Sequence, residues 1–385
     1  MSSALSAIST PAAKPAGRNV PYVNFPAQYA EERTDILACV EDVFSRGEFI
    51  GGALIDQLEA ELAELCGTRH AVTLNSGTDA LILAMKVLGI KPGDEVITPP
   101  NSFLASAASI ALIGARPVFV DVKPDQNIDP AAVEAAITPR TVAIMPVHLT
   151  GRMADMTAIR AIAGRHGLLV IEDAAQSIGS SFDGMPAGAA GDIGCFSAHP
   201  LKNLNAAGDA GFVTLNDDEM AARLRRLRNH GMINRDTALE FGYVSRLDTL
   251  QAAILRMRLR RLGSVTARRR HNAERYRRLL RRREVFAPPC QAAEFNTFHT
   301  FVIQADRRDT LREHLLARGV QTSVHYPVPI HLQPAAAHLG HRKGDFPTVE
   351  RQAERILSLP INQFISDADI DYVAGIVDEF YGERR

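Results

Sequence analysis

The segment Ser197-Ala198-His199-Pro200-Leu201-Lys202-Asn203-Leu204 puts a lysine in a short proline-constrained loop, directly after the apolar run Ile193 to Phe196. An amine taken partly out of water loses some of its preference for the charged form. It can then form an imine with an aldehyde and, once displaced, carry protons. Upstream, Ile171-Glu172-Asp173-Ala174-Ala175-Gln176 closes another apolar run with an acidic pair. A carboxylate there can hold a pyridine nitrogen protonated, so that the ring draws electrons from an adjacent carbanion. A metal site competes for the acidic pair but finds no histidine close by, and helix capping by Asp173 is the plainest alternative.

Two further segments have the composition of a ligand cradle. In Asn75-Ser76-Gly77-Thr78-Asp79 the glycine lets backbone approach a ligand, and the free amides of a helix start attract a phosphate. Ser76 or Thr78 serves equally well as an ordinary N-cap. Ser197, shortly before Lys202, is suited to a phosphate hydrogen bond. In Pro99-Pro100-Asn101-Ser102-Phe103 an aromatic ring can stack on a flat ligand, with packing in the core as its commoner fate.

Such residues act together only if the fold gathers them. Short β-rich runs at Ala71 to Leu74, Glu95 to Thr98, Val118 to Val122, Val142 to Val147, Leu168 to Glu172, Ile193 to Ser197 and Gly211 to Leu215 alternate with helical stretches. Helices are predicted near Asp79 to Leu88, Ser102 to Ile113, Pro130 to Ala136 and Met156 to His166. This alternation predicts an α/β fold with a mostly parallel seven-stranded sheet flanked by helices. Each chemical segment follows a strand, and in such sheets ligands collect at the strands' carboxyl ends.

Ahead of the sheet, apolar spacing from Glu31 to about Leu65 reads as two helices around Gly47 and Gly51-Gly52. After it, Leu250 to Arg283 reads as one long helix whose arginines form a solvated face. A strand at Thr300 to Ile303, a helix at Asp309 to Arg318 and a closing helix after Asp367 predict a smaller α+β domain. The expected division is a tail over residues 1–20, a large domain over 21–260 and a small C-terminal domain over 261–385.

Composition narrows the function classes. With 385 residues, 46% hydrophobic and 23% charged, the chain can bury a large core, and a net charge of −1 offers no global field for nucleic acid or an anionic membrane. Cys39, Cys66, Cys195 and Cys290 are scattered, which fits a reducing cytoplasm. No apolar run approaches the roughly 20 residues of a membrane span, and no hydrophobic signal core stands at the N-terminus. His325, His331, His338 and His341 lack metal-ligand spacing, so no metal is expected. No GxGxxG follows an early strand, which excludes a nicotinamide oxidoreductase.

In order, NSGTDAL, PPNSF, IEDAAQSIG, FSAHPLKNL, GDAG, RNHG, SRLDTLQAAIL and HYPVPIHLQP resemble the DegT-type (DegT/DnrJ/EryC/StrS) sugar aminotransferases of fold type I over nearly the whole chain. The resemblance implies pyridoxal 5'-phosphate as cofactor, passing through pyridoxamine phosphate. Lys202 then resembles the Schiff-base lysine and proton shuttle, Asp173 the partner of the pyridine nitrogen, and Gln176 the contact to the ring hydroxyl. Phe103 resembles the stacking aromatic, Gly77, Thr78 and Ser197 the phosphate cradle, and His325 with Tyr326 a substrate contact.

The resemblance also implies a homodimer with shared active sites, a nucleotide-linked keto-sugar as acceptor and an amino acid, glutamate, as donor. Amination at sugar C3 is implied more than at C4. Its dehydratases replace the lysine by histidine, so Lys202 favours transamination; a non-catalytic regulator on the same fold is the reading from another class. One departure stands out. Val244 occupies the place of an asparagine that reaches the partner subunit's cofactor phosphate in the family, and an apolar side chain cannot make that bond.

Overall fold

The computed structural model describes residues 18–382. The first long helix, Phe25–Arg46, starts where Asn24 Oδ1 accepts the Ala27 amide at 3.1 Å and stops at Gly47, whose φ of 68° is left-handed. Gly51 and Gly52, also at positive φ, turn the chain into the next helix, Ala53–Cys66. The two helices expected around a glycine turn are thus found.

The main sheet has seven strands in the order His70–Leu74, Gly211–Leu215, Ile193–Ser197, Leu169–Asp173, Thr141–Ile144, Glu95–Thr98, Arg116–Phe119. Gly211–Leu215 alone runs antiparallel to its neighbours; the remaining pairs are parallel. Six strands therefore end at one edge, and Gly211, paired with both Leu74 and Ser197, begins there. Apolar layers cover both faces: Leu58, Ile159 and Phe196 on one, Leu83, Met85 and Val213 on the other. A strand buried on both faces reads as a continuous apolar run, which is why these segments stood out in the sequence.

The expected single helix from Leu250 to Arg283 is broken. Thr249–Leu259 ends at Arg260 and Leu262–Leu279 restarts after Arg261. The break lets Leu255 and Leu262 pack in the sheet core while Ala273 and Tyr276 enter a second core. Periodicity is blind to a change of axis that costs only one or two residues. The arginine run is also not uniformly solvated. Arg268 and Arg275 make surface pairs with Asp367, but Arg269 between them is 7% exposed.

The second core belongs to a three-stranded antiparallel sheet, Val285–Phe286, Phe301–Ala305, Ile356–Leu359, covered by Arg308–Ala317 and Asp367–Gly382. Ile356–Leu359 follows the helix Pro347–Arg355 without a turn and is apolar at three of its four positions, so it gave no alternation to read. Val20 joins this core, bridged in parallel fashion to Val320. It is therefore fixed, although the sequence places it in the tail; residues 1–17 of that tail lie outside the described residues.

Candidate active site

All four chemical segments meet at the edge where the six strands end. Asp173 is the last residue of its strand, and its main chain bridges to Val147 of the neighbouring segment. Its Oδ2 accepts the Ser106 hydroxyl at 2.6 Å and its Oδ1 the Ala175 amide at 3.3 Å. Burial pushes the Asp173 carboxyl above the ordinary carboxylate value, opposed by those two hydrogen bonds and by the charge of Lys202. A cationic partner would reverse that burial penalty.

Glu172 next to it is not available for chemistry. Its carboxylate accepts the amides of Gly188, Ala190 and Gly191 at 2.7–2.9 Å and faces His148 Nε2 at 2.8 Å. His148 Nδ1 accepts the Ala154 amide, so Nε2 carries the proton donated to Glu172. The acidic pair thus separates into a structural member, Glu172, and a member that faces the site, Asp173.

Lys202 sits in a turn whose amide donates to the His199 carbonyl at 2.8 Å. Burial draws its amine down to about 8, with Asp173 pulling the other way. A lysine poised there is a competent nucleophile and base near neutral pH.

Ser76 proves to be the N-cap of the helix Gly77–Val87, its Oγ accepting the Asp79 amide at 3.1 Å. Gly77 and Thr78 open that helix and carry two of the amides that have no acceptor within a helix. Gly77 lies against Ser197, so a Cβ there would meet Ser197 Cβ at 2.7 Å. Helix start, glycine and serine lie together at the same edge as Asp173 and Lys202, an arrangement able to receive an anion.

Gln176 Oε1 accepts the Thr150 amide at 2.7 Å and its Nε2 donates to the Tyr326 hydroxyl at 3.4 Å. Phe103 is not a core residue: it is 59% exposed, with its ring centroid 5.9 Å from that of Tyr326. An open aromatic face at the edge that also carries a carboxylate and a lysine is able to cover a flat ring. His325 accompanies Tyr326, its Nδ1 at 2.8 Å from the Ser358 hydroxyl. Burial, with Lys202 adding to it, lowers His325 to about 4, so the ring is neutral at pH 7.

Sequence reasoning missed Ser106, which fixes Asp173, and His299, which is half-buried near Lys202. Ser106 offered one signal, its place just after the loop Pro99 to Phe103; His299 offered none. His331, from the histidine-rich stretch, is buried against Glu350 and Phe346 and serves packing. Val244 is 56% exposed, and the neighbouring Ser245 hydroxyl is already given to Asn75 Oδ1 at 3.2 Å.

The family model for the DegT/DnrJ/EryC1/StrS aminotransferase family matches residues 30–378. The chain belongs to that family. A dTDP-3-amino-3,4,6-trideoxy-alpha-D-glucose transaminase of Streptomyces venezuelae is 44% identical over 344 residues, covering 89% of this chain and 91% of its own. A protein of Geobacillus stearothermophilus named as a pleiotropic regulatory protein is 43% identical, covering 94% and 99%. Among solved structures, S. venezuelae DesV in complex with a ketimine intermediate superposes with a TM-score of 0.93 at 42% identity, over 95% of this chain and 100% of that one. Other solved neighbours carry pyridoxamine phosphate. The expected fold, a mostly parallel α/β sheet domain with smaller α+β elements, is that of these aminotransferases.

Proposed function

We propose that this aminotransferase moves an amino group from an amino acid, glutamate, to the keto carbon of a nucleotide-linked deoxy-sugar, using pyridoxal phosphate. The observation that carries the reading is the meeting of Lys202, Asp173 and the Gly77–Ser197 cradle at one sheet edge. The cofactor, when bound, supplies an electron sink for the carbanion formed at the amino-bearing carbon. Asp173 would hold a proton at the ring nitrogen, its burial strengthening the attraction to that cation. Gln176, oriented by Thr150, would meet the ring hydroxyl. The amides of Gly77 and Thr78 with Ser197 would hold the phosphate, and Phe103 would cover one face. Lys202 would be the amine that holds the aldehyde and, once freed, the base that carries the proton.

His325 and Tyr326 line the acceptor side, where neutral, hydrogen-bonding groups suit a sugar. The sugar's nucleotide supplies binding energy remote from the reacting carbon. Sugar C3 is the position favoured by the HYPVPIHLQP form of the acceptor segment and by the Streptomyces relative. Intact Lys202 speaks against a dehydratase, and a complete set of catalytic groups speaks against a purely regulatory role.

We also read the working unit as a homodimer with shared active sites. Phe44, Phe49, Ile50, Ile233, Leu239, Phe241 and Val244 are exposed, and the bridges Ile50–Asp248 and Asn229–Val244 place the loop of the first two helices beside the Val244 segment. Apolar surface of that kind is suited to a second copy. The division into large and small domains near residue 260 follows the break between the two helices. No described helix is long and apolar enough to cross a membrane, and the four cysteines are unpaired, in keeping with a reducing cytoplasm.

The test is a panel of 3-keto and 4-keto nucleotide sugars incubated with glutamate, with amino-sugar formation followed by mass. A 3-amino product is expected. Failure of every nucleotide sugar, with a cyclitol or other ketone reacting instead, would discard the substrate class. Absence of any half-reaction with amino acids would favour the regulator.

A further inference from the structure

Beside Lys202 lies a cleft between the N-terminal segment at Tyr22 to Phe25, the Lys202 loop and the turn Ile361 to Phe364. Arg269, His299 and His325 also line it, together with the amides of Asn362 and Gln363, and among the described residues no Asp or Glu lines it. A cleft next to a reactive lysine thus carries positive charge and hydrogen-bond donors but no acid of its own.

Arg269 is the unusual member. Its Nη1 donates to the carbonyls of Phe298 and His299 at 3.2 and 3.0 Å, its Nη2 reaches Gln363 Oε1 only at 3.4 Å, and its Nε has no acceptor. The two other buried arginines each meet a carboxylate: Arg152 with Glu294 and Arg308 with Asp309. Among the described residues Arg269 makes no such pair, although it is 7% exposed. A buried guanidinium without a counter-charge is costly to keep, and it is most economically explained by an anion that arrives with a ligand.

His299 supports the same point. It is half-buried, its shielded Nδ1 meets no partner among the described residues, and burial with the charges of Lys202 and Arg269 holds it neutral, so it offers a hydrogen bond without adding repulsion. The weak contact from Arg269 to Gln363 is readily exchanged for a carboxylate, which a guanidinium binds with better geometry and opposite charge.

We propose that this cleft is the carboxylate subsite for the amino-acid donor, with Arg269 as counter-charge and His299 and Gln363 as its hydrogen-bonding partners. The assignment rests on the aminotransferase reading above and adds to it the place where the donor's acid group docks. Arg269 would thereby separate the two substrates: the acid-bearing donor needs it, the neutral keto-sugar ring does not.

The test is Gln363→Glu, which puts a carboxylate on Arg269 from within the chain and keeps the shape of the side chain. In the cofactor-loaded enzyme, the apparent dissociation constant for glutamate in its half-reaction should rise by about tenfold or more, since a like charge now occupies the subsite. Calorimetric binding of glutarate, a dicarboxylate without an amine, should weaken by a similar factor. The opposite half-reaction, from the amino-sugar, should stay within about twofold of wild type. Arg269→Lys, which keeps the charge but loses the planar edge, should show the same split to a lesser degree, with melting temperature reporting on the fold. Glutarate affinity and glutamate kinetics unchanged in a folded Gln363→Glu enzyme would overturn the subsite. Wild type that binds glutarate through Gln363 and Arg269 yet transaminates nothing would leave the subsite standing and sink the aminotransferase reading instead.

Discussion

Gly77 and Ser197 approach so closely that a methyl group on the glycine would sit 2.7 Å from the serine Cβ and 3.1 Å from its Cα. One opens a helix and the other closes a strand, and between them they frame the proposed anion cradle. Gly77→Ala forces them apart. We expect it to weaken cofactor binding by roughly tenfold or more, in line with about 1–3 kcal/mol for overpacking. Equilibrium titration of apoenzyme with pyridoxal phosphate measures this; unchanged affinity would remove the cradle from Gly77.

Lys202 sets the second expectation. Its amine titrates at about 8 because burial disfavours the ammonium. Only the neutral amine attacks an aldehyde, so the rate of covalent cofactor uptake by apoenzyme should climb with pH up to about 8 and level off above it. Stopped-flow absorbance reads the profile. Borohydride reduction followed by peptide mass analysis should place the label on Lys202, and a label on another lysine would overturn its role.

Asp173 and Ser106 give a graded pair. Asp173→Asn removes the charge proposed to pair with the ring nitrogen and should slow both half-reactions by about a hundredfold or more, the scale of a lost electrostatic contact in a dry site. Ser106→Ala removes only the 2.6 Å hydrogen bond to Asp173. It should cost about tenfold, as for one hydrogen bond to a charged group. Equal losses in single-turnover rates for the two variants would contradict the proposed hierarchy.

That hierarchy also shows what the sequence could disclose. Lys202, Asp173, Gly77 and Phe103 each follow an apolar run, so reading the strands was enough to bring them to one edge. Ser106 was invisible because its contact with Asp173 spans 67 positions and depends on where a helix lands. Arg269 was misread with its neighbours, since a helix carrying arginines on several sides looks solvated until a second core closes over one of them. Its isolation from carboxylates is a property of the assembled lobes, not of any local pattern. The break at Arg260 and Arg261 escaped for a related reason: both halves keep helical periodicity, and only the passage of the second half from one core into the other requires it.

Val244 carries the last expectation. Its side chain is 56% exposed and offers no hydrogen bond, Ser245 is committed to Asn75, and Arg246 Nη1 donates to Asn229 at 3.0 Å. The segment thus has few free groups with which to replace the asparagine that reaches a cofactor phosphate in the resemblance described above. Val244→Asn should restore a charge-assisted contact of about 1.5–3 kcal/mol, tightening pyridoxal phosphate by roughly tenfold or more. If the contact comes from a second copy of the chain, the gain should vanish under conditions that dissociate the enzyme, as followed by sedimentation alongside the titration. Equal affinity in wild type and Val244→Asn would mean that this chain holds its phosphate without help from that segment.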